Sequence, residues 1–147
     1  LCRGCIGWAI EASQDEGLIE ERRAKLEALL GICGADIVGR FKLAAALAED
    51  FGKRRETVRE QLELWIDWWR DVLRVKSNCP EDISNVDREE ELRRHAAHLG
   101  LPEIAAAIKS TQTTLQALEG NANPRLALDV MMLALPSIPD EREIIHA

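Results

Sequence analysis

Between Lys53 and Ser77 the apolar residues recur at spacings of three and four, a period that only a helix satisfies. At 100° per residue, Val58, Leu62, Trp65, Trp69 and Val72 form one stripe. Leu64, Trp68 and Val75 lie on one flank of it, Ile66 and Leu73 on the other, and together they cover an arc of about 200°. Glu56, Arg59, Glu60, Glu63, Asp67, Arg70, Asp71 and Arg74 fill the remaining arc. A helix apolar over so wide an arc must be covered by other helices on more than one side. Its three tryptophans are therefore read as core. A base-stacking platform sets aromatics beside lysines and arginines, whereas here the charges face the opposite way.

Glycine and proline divide the rest into further helices. A short one is expected over 6–16, ending near Gly17. A second spans about 18–31 with Leu18, Ile19, Leu26, Leu29 and Leu30, and a third about 35–51 with Ile37, Val38, Phe41, Ala44 and Leu47. Gly31, Gly34 and Gly52 are the expected stops, since glycine adopts the left-handed conformation common after a helix C-terminus. A turn-rich stretch, EDISNVD, precedes a charged helix at about 86–99. Another helix starts at Leu101 and closes at Gly120. In NANPRLALDVMMLALP, Asn123 is placed to cap, Pro124 suits the first helical turn, and Pro136 ends the element. No strand alternation and no internal repeat is found, so the fold class is all-α, a bundle of about five to six helices.

Composition narrows the function. The 147 residues suit one domain, and a net charge of −7 repels phosphate backbones. The one basic cluster, Lys53-Arg54-Arg55, is flanked by Glu49, Asp50, Glu56 and Glu60 and reads as a solvated helix start. No apolar run is long enough to span a membrane, and no signal peptide is present. Leu1 in place of a methionine points to a piece of a longer protein. Cys2 and Cys5 have C-x-x-C spacing, but His95 and His98 fall in mid-helix far away. The four cysteines are read as separate reduced thiols of a cytoplasmic protein rather than a metal site.

Catalytic groups are sparse. The chain has no phosphate-binding loop, no nucleophile elbow and no H-E-x-x-H. Glu89, Glu90 and Glu91 diverge on a helix and read as a solvated face. His95 and His98 share a face without an evident orienting partner. Ser110, Thr111, Thr113 and Thr114 lie mid-helix, where hydroxyls bond back to carbonyls. No catalytic residue, cofactor site or metal site is assigned, and the fragment is not read as an enzyme.

Four stretches, in this order, resemble the C-terminal part of the delta-prime subunit of the bacterial DNA polymerase III clamp loader. GCIGWAIEAS resembles the helix that closes the lid of that subunit's AAA+ module. WWRDVLRVKSN is similar to the family's aromatic or aliphatic, R-D, aliphatic run with a following lysine. SNVD, Ser84 to Asp87, matches a turn found after it, and NANPRLALDVMMLALP resembles the family's closing helix. The resemblance implies that residues 1–16 end a lid domain, 18–135 form a helical collar for oligomerisation, and 136–147 are a tail. It implies a non-catalytic member of the DNA polymerase III holoenzyme that helps load the sliding clamp on primed DNA. The partners it implies are other clamp-loader subunits, with DNA and the clamp reached only through the complex. One position departs from the relatives that bind ATP, which place an arginine in the lid helix: here Cys5 stands there, with Arg3 out of register. A thiol does not supply the positive fork that contacts phosphate.

An assembly domain needs apolar surface beyond its own core. The candidate interface residues are Leu64, Trp68 and Val75 on the tryptophan helix, and Leu126, Val130, Met131 and Leu133 on the closing helix. Two alternatives stand beside this reading: the end of an ATPase-competent AAA+ clamp-loader subunit, and a free-standing helical adaptor.

Overall fold

The structure is a computed structural model that describes residues 16–139, so nearly all of the expected helix over 6–16 lies outside the described residues. Among the described residues six α-helices follow one another: α1 (Glu16–Gly34), α2 (Ile37–Lys53), α3 (Arg55–Lys76), α4 (Glu89–His98), α5 (Leu101–Glu119) and α6 (Pro124–Ala134). Two single 3-10 turns, Pro80–Asp82 and Val86–Arg88, lie between α3 and α4. There is no strand among the described residues, and the all-α expectation holds.

The breadth of the apolar arc on α3 is answered by its neighbours, for α3 packs against α1, α2, α4 and α5. Trp65, Trp68 and Trp69 are each 0% exposed. Trp65 gives its indole N–H to the Lys25 carbonyl of α1 at 2.9 Å, and Trp68 gives its own to His95 of α4. The tryptophans are core, as their period requires. α6 closes the bundle against α2 and α5.

Helix ends depart from the glycine rule. α1 runs through both Gly17 and Gly31 and ends at Gly34, while α2 runs through Gly52. A glycine inside a helix costs only about 1 kcal/mol relative to alanine. The turn after Gly31 buries Ile32 and Cys33, and burying one such side chain is worth roughly 1.5–3 kcal/mol. Burial wins. At the end of α5 the left-handed residue is Asn121, at φ 62°, and not Gly120. The Ala122 N–H reaches back to the Ala117 carbonyl at 2.9 Å, closing the helix as a Schellman turn does.

The connection between α3 and α4 is pinned by a residue that the helical period assigns to the charged face. Asp71 is 0% exposed. Its carboxylate accepts from the Ser84 N–H, from the Asn85 N–H at 2.8 Å, from the Asn85 side-chain amide at 2.6 Å and from Arg74 at 2.8 Å. Arg22 of α1 donates to the Asn85 side chain and pairs with Asp87. The SNVD turn is thus a polar lock between α3 and α1. Burial of the carboxylate is sustained because each of its oxygens is hydrogen-bonded.

The expected tail also begins inside the fold. Leu135 and Ile138 are buried, and the Ile138 N–H donates to the Cys33 carbonyl at 2.9 Å. Residues 136–139 therefore form a strap across the bundle, held by α1 and α2. The rest of the expected tail lies outside the described residues.

Candidate interaction surface

α6 is built by strong local signals. The Asn123 side chain accepts the Leu126 N–H at 3.1 Å, and Pro124 occupies the first turn, where a missing N–H costs nothing. The helix ends at Ala134, two residues before Pro136. Leu128, Met131 and Met132 face inward and are fully buried. Leu126, Val130 and Leu133, spaced four and three apart, face outward at 64%, 57% and 62% exposure. One apolar stripe thus remains outside on a helix whose inner side is already satisfied. Arg125 and Asp129 pair across its flank at 3.1 Å.

The seven candidate interface residues separate accordingly. Leu126, Val130 and Leu133 share one exposed face. Leu64 and Val75 are half-buried and pack against the core from α3. Trp68 and Met131 are corrections: both are 0% exposed and present no surface. Trp68 is covered because α4 lies over its flank of α3. Met131, three residues after Leu128, falls on the side of α6 that meets α2 and α5. Ile37 and Val38, in the first turn of α2, are further exposed apolar side chains.

The groups weighed for chemistry are held in packing roles. His95 is buried against α3, its ring edge-on to Trp68 at 5.5 Å and stacked on Trp69 at 6.1 Å. It does have an orienting partner. The Trp68 indole N–H donates to its Nδ1 at 3.2 Å, which leaves the ring proton on Nε2. Burial, with Arg94 and His98 adding to it, pushes the His95 pKa down to about 4. His98 is exposed, its Nδ1 2.9 Å from the Arg94 carbonyl, so the two histidines do not converge. Thr111 and Thr114 bond back to the Ala107 and Ser110 carbonyls at 2.8 and 2.9 Å, as expected of mid-helix hydroxyls. Glu89 pairs with Arg93 and Glu91 with Arg88. Among the described residues no group of three or more His, Cys, Asp or Glu side chains is placed to hold a metal ion. Cys2 and Cys5 lie outside the described residues. Burial raises the Cys33 thiol to about 12, which makes it a packing group rather than a nucleophile.

Among the described residues, grooves of about 460 Å³ each lie in two places on the surface. One runs between α3 and α5 past Ile66, Asp67, Arg70 and Leu115; the other lies between α1, α4 and the strap, past Cys33, His95 and Ile138. The second is lined by both Cys33 and His95, but burial keeps the thiol protonated and the Trp68 N–H occupies the His95 Nδ1, so the pair is not an activated nucleophile and base. No helix among the described residues is long and apolar enough to cross a membrane.

No curated protein and no solved structure matches the chain. The family model described as DNA polymerase III, delta subunit, C terminal matches residues 17–136, from the first turn of α1 to the proline after α6. With its whole helical bundle inside that match, the chain belongs to the family formed by the C-terminal domain of the DNA polymerase III delta subunit, a clamp-loader family.

Proposed function

We propose that this bundle is the collar-type assembly domain of a clamp-loader subunit similar to delta-prime, and that it works by holding other loader subunits. Family membership supports the setting in the DNA polymerase III clamp loader. The order of WWRDVLRVKSN, SNVD and NANPRLALDVMMLALP supports delta-prime over the other subunits. In this reading the domain is non-catalytic, ATP hydrolysis belongs to partner subunits, and primed DNA and the sliding clamp are met only through the complex.

The observation that carries the reading is the stripe of Leu126, Val130 and Leu133. The core of the bundle is complete without these side chains. Three large apolar groups in line on one outer helix are the composition expected at the centre of a subunit interface. The test is size-exclusion chromatography of the full-length protein with its cognate loader subunits. Wild type co-elutes with them, whereas Leu126→Asp combined with Val130→Asp elutes alone while keeping its helical circular dichroism. Undiminished co-elution of the double variant rejects the surface. Reconstitution tests the finer identity: the protein restores clamp loading to a loader lacking delta-prime, and failure there with success in place of delta assigns it to delta instead.

A further inference from the structure

The stripe is presented by a helix of 11 residues, capped at its start by Asn123. Its far end is held by another helix. Arg40, in the first turn of α2, is 5% exposed. From Nη1 it donates to the Met132 carbonyl at 2.8 Å and the Leu135 carbonyl at 2.6 Å. From Nη2 it donates to the Pro136 carbonyl at 2.8 Å and the Ser137 hydroxyl at 3.2 Å. None of these four acceptors is a carboxylate. The charge is met by the carbonyl end of α6, where the helix dipole favours a cation and the last carbonyls lack helical partners. A buried guanidinium balanced in this way ties the helix end in place, because any displacement leaves a charge without partners, a costlier loss than a surface contact. The strap continues the tie to the Ile138–Cys33 bond on α1.

We propose that Arg40 is a positioning residue for partner binding, fixing the angle at which α6 presents Leu126, Val130 and Leu133 without itself touching the partner. This rests on the reading of that stripe as the partner surface. A planar fork is required, since one guanidinium reaches four oxygens spread over residues 132 to 137, and an ammonium has no such geometry.

The test measures affinity of the full-length protein for its purified cognate loader subunits, alongside thermal unfolding. Arg40→Lys is expected to lose about tenfold or more in affinity, and so is Ile138→Ala, which loosens the strap without touching the guanidinium. Val58→Ala, a cavity in α3, lowers the melting temperature but keeps wild-type affinity. Amide exchange over residues 126–138 quickens in the first two variants and not in the third. If Arg40→Lys does not fold, Ile138→Ala decides. Wild-type affinity in either folded strap variant overturns the proposal, as does an equal loss in Val58→Ala, which would make the effect one of stability alone. Leu126→Asp separates the two readings. If it binds normally, the surface reading falls and this inference with it. If it loses binding while the strap variants do not, only this inference falls.

Discussion

His95 shows how one buried ring ties two helices together and makes the fold sensitive to acid. It stays neutral because burial penalises the imidazolium and because the Trp68 N–H occupies Nδ1. Protonation would set two donors face to face. Its pKa falls from 6.5 to about 4 on folding. Between those values the unfolded chain binds more protons, so stability rises with pH across that window. The contribution of this group is full above about pH 6.5 and is lost as the pH falls toward 4. A fall of that size corresponds to about 3 kcal/mol. His95→Gln keeps an acceptor for the Trp68 indole and removes the titration. Urea unfolding at pH 7 and pH 4.5 should therefore show wild type losing about 2 kcal/mol more than the variant. Equal losses would place the acid sensitivity elsewhere.

At the scale of the helix, what the sequence reveals depends on whether an element's partners lie within it. The tryptophans of α3 were legible as core because burial on that helix follows its own period. α6 was only half legible. In the run RLALDVMMLA nearly every position is apolar, so the pattern marks a helix without saying whether Leu126 or Met131 faces inward. The burial of Asp71 and Arg40 is not legible in the sequence because the backbone groups that hold them inside lie 13 or more residues away in the chain, and the one local partner of Asp71, Arg74, fits a solvated face equally well. Arg40 did leave a signal: it stands in register with Ala44, Leu47 and Phe51, a charge inside a buried stripe. Glycine misled most at α1, where a helix breaker sits in a helix that packing sustains. A Cβ at Gly31 would meet nothing within 4 Å. Gly31→Ala therefore should stabilise the domain by roughly 0.5–1 kcal/mol, raising the midpoint of urea unfolding with an unchanged slope. A lower midpoint would mean that Gly31 serves the groove it borders between α1, α4 and the strap.

For the whole molecule the question is how a replication-complex domain behaves toward DNA, and the charge arrangement answers it beyond the net value of −7. Most basic side chains on the surface already face carboxylates. Lys53 lies 3.0 Å from Glu49, and Arg54 is paired with Asp50. Arg59 is shared among Glu56, Glu63 and Glu119. Arg23, Arg70, Arg93 and Arg125 each have an acidic neighbour one turn away. Arg55 sits over the Phe51 ring at 4.7 Å. Such exposed pairs add little stability, each about 0–1 kcal/mol. Their consequence is in the field: a phosphate approaching any of the paired arginines also approaches the carboxylate beside it. Proteins that bind DNA without sequence preference do so at about 1–100 µM, through basic groups that displace counterions, and lose affinity steeply with salt. This domain should give no shift of a labelled primed template at about 100 µM protein in about 50 mM salt. Retention that disappears as salt rises to about 200 mM would reveal a phosphate-binding face and contradict a role confined to holding neighbouring subunits.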